Sequence, residues 1–375
     1  MRTVLCFTLL SFLLFGAGAQ AELLVYEPFD YTPTVDLDNP QPPLGGLAGL
    51  DGGIGFDGPW IASGRREMSV VDSEMAFPDL PASGNNLYAD AGVWGGDWSQ
   101  GSGTAWDSQT RDLDTSTMDP ALLDNGKLGK DGTSIWAAFT IRIDDLATGT
   151  DGPMAGWAGL LLRDSDAGGK PFFGRRANAT RWGLEGPPGG AERWDTPVDI
   201  VDGPANPDGD EGIPALLVTR WDFAAGEETV HMWVDPSPYQ GAPADGDAGI
   251  SQTVTDFRFD RIMYDSAAES YADEIRIGTA FNDVVPVLLG DFDKNGAVNG
   301  LDIPDFKEAL GDPALWSANN DASADKLGDF DGNGAVNGLD IPGFKAALGG
   351  GTAVPEPTTL ILLGLGVIGI VRRRR

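Results

Sequence analysis

Asp291, Asp293, Asn295, Asn299 and Asp302 set oxygen-bearing side chains at positions 1, 3, 5, 9 and 12 of one short segment, with Gly296 at position 6 and Ala297 at position 7. A twelve-residue chain that wraps Ca2+ needs this spacing, with oxygen donors at alternate positions, a backbone carbonyl at the seventh and glycine for the sharp turn at the sixth. Asp329, Asp331, Asn333, Ala335, Asn337 and Asp340 repeat the set around Gly334. The two loops lie in near-identical stretches, Gly290–Leu310 and Gly328–Leu348, which differ at three of 21 positions: Lys294/Gly332, Asp305/Gly343 and Glu308/Ala346. One acidic loop would read as a linker. Two complete donor sets, each followed by the same apolar pattern, predict about two Ca2+ per chain.

A helix is expected after each loop to hold it. Pro304 and Pro342 suit a first turn, where the missing N–H has no partner to lose. Ile303, Phe306 and Leu310 are spaced for one helical face, as are Ile341, Phe344 and Leu348. Two such faces packed together give a small pseudo-symmetric core, so metal binding and folding are expected to be coupled. Val298 and Val336 at position 8 suit a short strand pairing between the loops.

On these residues the segment 287–349 resembles type I dockerin repeats, which end on Asp at position 12. The resemblance implies a calcium-dependent docking module of the kind found on polysaccharide-degrading assemblies. Two departures limit it. The copies start 38 residues apart, with Gly311–Leu327 between them. Positions 10 and 11 are Gly300-Leu301 and Gly338-Leu339, where dockerins often use small hydroxyl residues to grip cohesin. The metal ligands carry over; the cohesin grip does not.

Composition removes other chemistries. The one cysteine, Cys6, falls in an apolar leader, and the one histidine is His231. Thiolate nucleophiles, iron–sulfur clusters and zinc sites built on several imidazoles or thiolates are thereby excluded. Without Arg2 and Arg372–Arg375 the chain keeps 20 basic against 57 acidic residues. Such a surface repels nucleic acid phosphates and attracts divalent cations.

The long stretch 22–286 reads as β-structure. Ser134–Ile143, Trp157–Arg163, Ala215–Phe223, Thr229–Val234 and Phe257–Tyr264 are rich in β-branched and aromatic residues, between clusters of Gly, Pro and Asp. Phe223–Thr229 reads as a hairpin connection. Many short strands in about 265 residues predict two packed antiparallel sheets. Leu24–Tyr31, the pair Leu217–Asp222 and Thr229–Asp235, and Tyr271–Gly278 resemble the concanavalin A-like, laminin-G-type jelly-roll domains of secreted bacterial proteins. That resemblance implies an all-β jelly-roll sandwich whose first and last strands pair.

Some sandwiches of this kind hydrolyse glycosides, which takes two carboxylates flanking the sugar bond. The one-strand patterns Glu-x-Asp-x-x-Glu and Glu-x-Asp-x-Glu do not occur. Glu27-Pro-Phe-Asp30 and Asp273-Glu274 have other spacings and suit strand ends, and His231 suits a structural strand position. No catalytic residue is assigned. Ten of the eleven tryptophans fall in this stretch, among them Trp94, Trp98 and Trp106, and aromatic faces of that kind can bind sugar rings.

The ends of the chain read as targeting signals. Residues 1–21 combine Arg2, the apolar run Val4–Phe15 and Ala19-Gln20-Ala21, the pattern of a secretory signal peptide. In 350–375, Pro355-Glu356-Pro357 is followed by the apolar Leu360–Val371 and four arginines. Twelve helical residues cover about 18 Å, short for a ~30 Å hydrocarbon core. The order resembles the PEP-CTERM sorting signal, which implies a short hydrophobic helix, at least transient in the inner membrane, and processing by an exosortase. The chain is therefore expected to be an exported, calcium-binding, non-catalytic protein of the envelope or extracellular matrix, with a polysaccharide ligand or a calcium-dependent protein partner. A polysaccharide hydrolase or lyase, or a component of a polysaccharide-degrading assembly, is the alternative.

Overall fold

The computed structural model describes residues 22–34, 46–63, 68–71, 85–89, 107–144, 156–166, 171–177, 179–187, 192–200 and 212–350. The leader 1–21, Trp94, Trp98, Trp106 and the apolar tail segment Leu360–Val371 lie outside these residues.

Two antiparallel sheets make up the body. The strands in chain order are β1 (Leu23–Glu27), β2 (Ile61–Ala62), β3 (Ser69–Val71), β4 (Asn86–Ala89), β5 (Asp107–Asp112), β6 (Leu123–Asp124), β7 (Lys127–Leu128), β8 (Ser134–Ile143), β9 (Ala158–Arg163), β10 (Phe172–Arg175), β11 (Arg181–Glu185), β12 (Arg193–Asp199), β13 (Ala215–Asp222), β14 (Glu228–Val234), β15 (Ile250–Val254), β16 (Arg261–Ser266) and β17 (Ser270–Gly278). One sheet runs β15-β14-β13-β8-β17-β4-β3, with β1 also on β17; the other runs β12-β11-β10-β9-β16-β5-β2. The expected sandwich is present, and most predicted strands fall on their observed positions. Phe257–Tyr264 is the exception, because the strand begins at Arg261. The hairpin at Phe223–Thr229 joins β13 to β14, with Trp221 opposite Val230. The first and last strands pair, Tyr26 opposite Arg276.

The alternation of each strand sets its inner face. Phe139 on β8 meets Phe173 on β10 and Tyr264 on β16 edge-on, with ring centroids 5.2 and 6.3 Å apart, across the space between the sheets. All three rings are fully buried. Burying each is worth roughly 1.5–3 kcal/mol, so this contact ties the sheets together. Trp60, Trp136, Trp182, Trp221 and Trp233 are buried as well, which makes them packing residues.

Glu27 and the Asp273-Glu274 pair have structural employment. Glu27 closes β1, is fully buried, and accepts from Phe29 N, Tyr31 Oη, Trp60 Nε1 and Arg111. Asp273-Glu274 does not end a strand, as the sequence suggested, but forms a bulge inside β17, with Glu274 at φ 54°. The bulge lets Glu274 bond Arg276 and accept from Tyr26 Oη.

After β17 the chain turns helical: α1 (Phe281–Val284), α2 (Asp302–Gly311), α3 (Pro313–Asn320), α4 (Ala324–Gly328) and α5 (Ile341–Gly350). α1 packs Phe281 on Trp136 of the sandwich, centroids 5.5 Å apart. The remaining helices enclose a second apolar cluster of Phe292, Phe306, Ala309, Trp316, Leu327, Val336 and Phe344. Among the described residues no helix is long and apolar enough to cross a membrane.

Candidate metal centre

The two loops precede α2 and α5, as the helical pattern requires. Phe306 and Phe344 stack across the pseudo-symmetric interface with centroids 4.0 Å apart. The buried stripe matches the expected one in part. Phe306 and Phe344 are buried and Leu310 and Leu348 pack against the same cluster, but Ile303 and Ile341 are 41 % and 36 % exposed, and Asp302 and Ala309 are buried in α2. Asp302 decides this: it starts α2 with its carboxylate turned into the loop, which rotates the next residue outward. Val298 and Val336 do not pair as strands, and Val336 N donates to Asp325 Oδ1 at 2.7 Å.

Repeat symmetry is also broken at position 2. Phe292 is buried against Phe306 and Trp316, at 5.3 and 5.1 Å. Its counterpart Phe330 lies on the backbone of α5, where a Cβ at Gly343 would come within 2.4 Å of Phe330 Cβ. This explains the Asp305/Gly343 difference between the copies. Nothing in the structure explains Glu308/Ala346.

Each loop gathers three carboxylates. Oxygens of Asp291, Asp293 and Asp302 lie within 4.8 Å of one another, and so do those of Asp329, Asp331 and Asp340. Backbone N–H groups aim them. Asp291 accepts from Asn295 N (3.0 Å) and Gly296 N (2.8 Å), and Asp302 from Asp293 N (3.0 Å) and Asn299 N (2.7 Å). In the second loop Asp329 accepts from Asn333 N and Gly334 N, and Asp340 from Phe330 N, Asp331 N and Asn337 N. Gly296 and Gly334 hold φ of 82° and 87°, a conformation glycine adopts at no steric cost.

The amide ligands expected between these carboxylates are occupied within the loop. Asn295 Oδ1 accepts from Ala297 N, and Asn299 Oδ1 accepts from Leu301 N while its amide donates to Ala297 O. Asn333, Ala335 and Asn337 repeat these bonds. Asn333 Oδ1 also accepts from Asn337 Nδ2 at 3.4 Å, whereas Asn295, Asn299 and Asn337 Oδ1 each accept one of these bonds and keep a second lone pair. The donor set is all oxygen, which suits a hard cation and not zinc or copper. Burial first, and the nearby Asp302 charge among lesser causes, push the Asp291 carboxyl above the usual carboxylate range. A divalent cation would remove that penalty by compensating the gathered charge.

His231 is 6 % exposed, lies along Trp233 at 5.8 Å, and has Nε2 3.6 Å from Asp222. Burial first, then Arg220, push its pKa down. Arg220 holds both Asp222 and Asp245, so the histidine sits beside an ion cluster already paired through arginine.

Sequence reasoning missed four residues around the loops: Lys294, Asp325, Lys326 and, in the sandwich, Tyr239. Only Lys294 left a trace, as one of the three differences between the copies.

Residues 353–375 match the family described as the PEP-CTERM protein-sorting motif. The motif marks the chain as an exported, envelope-associated protein and implies exosortase processing. No curated protein matches the chain. Among solved structures, the binding domain of botulinum neurotoxin serotype G is similar over 59 % of this chain and 45 % of its own length, at 10 % identity and a TM-score of 0.32. The binding domain of Paraclostridial Mosquitocidal Protein 1 is similar over 60 % and 44 %, at 10 % identity and 0.32. An endo-1,3-beta-glucanase from Streptomyces sioyaensis is similar over 70 % and 97 %, at 12 % identity and 0.33. The chain thus spans less than half the length of the toxin binding domains. Likenesses this remote assign no activity.

Proposed function

We propose that this exported protein is a non-catalytic, calcium-binding component of the envelope or extracellular matrix. In this reading a dockerin-like pair of loops holds two Ca2+. The observation that carries it is the pair of matched carboxylate triads, Asp291/Asp293/Asp302 and Asp329/Asp331/Asp340, each aimed by loop N–H groups and each followed by a helix of the same core. Asn295, Ala297 and Asn299, and Asn333, Ala335 and Asn337, would complete the oxygen shells. The cation's chemistry here is charge compensation: it holds together carboxylates that otherwise repel. Calorimetry on the purified exported chain is expected to show about two Ca2+ per chain, and absence of binding would sink the reading.

A protein partner for the module is favoured by a surface feature. Leu301 and Leu339, both at position 11, are 66 % and 69 % exposed, with Ile303 and Ile341 beside them in sequence. Large apolar side chains left open at matched positions of two repeats suit an interaction site. A polysaccharide ligand for the sandwich rests on the aromatic stretch Trp94, Trp98 and Trp106. The non-catalytic reading is supported by the structural bonds that hold Glu27 and Glu274. Release of reducing sugar from any polysaccharide by the purified protein would overturn it.

A further inference from the structure

We infer that the segment between the two loops is a strut through which calcium loading fixes the module on the sandwich and sets the wall of a neighbouring cavity. The inference rests on the calcium reading above. Sequence spacing presents Gly311–Leu327 as an insertion between copies. The structure folds it into α3 and α4 and places it between the loops and the turn joining β14 to β15.

On the sandwich side, Ser323 N donates to Tyr239 O at 2.7 Å, and Lys326 Nζ donates to Pro238 O at 2.8 Å. Gln240 donates its amide to Asp321. The Tyr239 ring is 5 % exposed and belongs to the same apolar cluster as Phe292, Trp316 and Phe344. Lys326 also stands 5.0 Å from the Phe281 ring of α1.

On the loop side, the contacts reach both metal sites. Gly290 N, just before Asp291, donates to Leu327 O at 2.8 Å. Asp325 accepts from Val336 N in the middle of the second loop. Lys294, at position 4 of the first loop, donates to Asn320 O at 2.8 Å and stands 5.5 Å from the Tyr239 ring. It does so at φ 60°, where the other copy has Gly332 at φ 72°. A left-handed lysine is strained relative to a favoured conformation. Its contacts with the strut and Tyr239 account for a lysine where glycine would fit.

The same turn has a second side. A cavity of about 320 Å3 is lined by Ser237, Gln240, Gly241, Trp233 and Val198, among others. One short segment therefore serves as docking platform for the module and as cavity wall. Without a cation the gathered carboxylates repel, and the ends of each loop lose the restraint that holds Gly290, Lys294 and Val336 against the strut. With it, loops, strut and turn form one continuous set of bonds. The coupling is reciprocal: whatever requires the ordered turn binds more tightly with calcium, and calcium more tightly with it.

Amide hydrogen exchange on the exported chain, with calcium and with chelator, tests this. Calcium is expected to slow exchange in 290–302 and 328–340, and also in 236–244, each by about tenfold or more, since local opening sets these rates. Lys326→Met keeps the apolar stem and removes a charge that burial disfavours, its pKa being pushed down to about 8. The variant should fold and bind two Ca2+ by calorimetry, yet lose most of the calcium-dependent protection at 236–244. If the loops respond and 236–244 does not, the strut is refuted and the calcium reading stands. Full protection of 236–244 in Lys326→Met likewise refutes the strut. If the loops themselves do not respond, the calcium reading fails and takes the strut with it.

Discussion

Asp302→Ala is expected to reduce the calcium stoichiometry from about two to one per chain, and Asp302→Ala/Asp340→Ala to abolish binding. Both carboxylates are fully buried. Asp302 closes the first loop on itself, since its two oxygens accept from Asp293 N and Asn299 N, at opposite ends of the segment. Alanine removes a ligand and leaves two loop N–H groups without acceptors. Affinity at that site should fall by more than the roughly 100-fold that losing a supporting group costs. Thermal unfolding gives a second readout. At free calcium of 100 times Kd, one site adds about 2.7 kcal/mol to the wild type, and the variant lacks the increment from its lost site. Two filled sites in Asp302→Ala would refute the assignment.

The pH dependence follows from Asp291. Its carboxyl titrates above the usual range in the metal-free fold, burial being the main cause. A raised folded-state pKa means the metal-free fold holds this proton more tightly than the unfolded chain. The metal-free module therefore gains stability as pH falls through the window above the ordinary aspartate value. Calcium needs the ionised form, so its affinity should fall over that same window. Calorimetry at pH values from the ordinary aspartate range upward should show the two trends opposed.

Arg111→Ala is the second large effect, and it belongs to the sandwich alone. Arg111 is 1 % exposed, donates to Glu27 Oε2 at 2.6 Å, and lies over the Phe56 ring at 4.0 Å. Removing it leaves the Glu27 carboxylate buried without its cation, still facing Trp60 and Tyr31. Breaking such a pair costs about 3–5 kcal/mol. In a body of this size that lowers Tm by on the order of 10 °C. Denaturant unfolding with and without calcium should show the same loss in both. Glu27→Gln/Arg111→Met should lose less than the two single changes together, because neither leaves a buried charge unpaired. A calcium-dependent loss would place Arg111 in the module's energetics and refute this account.

Much of the sandwich was legible because strands announce themselves locally. Ser134–Ile143 matches β8 at both ends, since its β-branched and aromatic run has no turn residue to interrupt it. Phe257–Tyr264 misled for the opposite reason: Phe257 and Phe259 are buried aromatic anchors that precede the strand. The Asp273-Glu274 bulge was hidden because a bulge depends on what the partner strands β1 and β8 leave room for. Likewise, Ile303 fits the helical period, but its facing is set by the inward turn of Asp302.

The sequence by itself determined the spacing of the oxygen-bearing side chains. Loop spacing, the glycines at position 6, the doubled pattern and the sorting motif are local in the chain, and local geometry is dictated by near neighbours. Only the tertiary structure decided how the loops are held. Tyr239 lies more than fifty residues before Asp291, and no periodicity links the turn after β14 to a lysine at position 4 of an acidic loop. That contact exists because Tyr239 reaches out of the sandwich into the apolar cluster of the module, and the chain between the loops is long enough to cover it there. The spacing that looked like an insertion between repeats is the part that joins them to the sandwich.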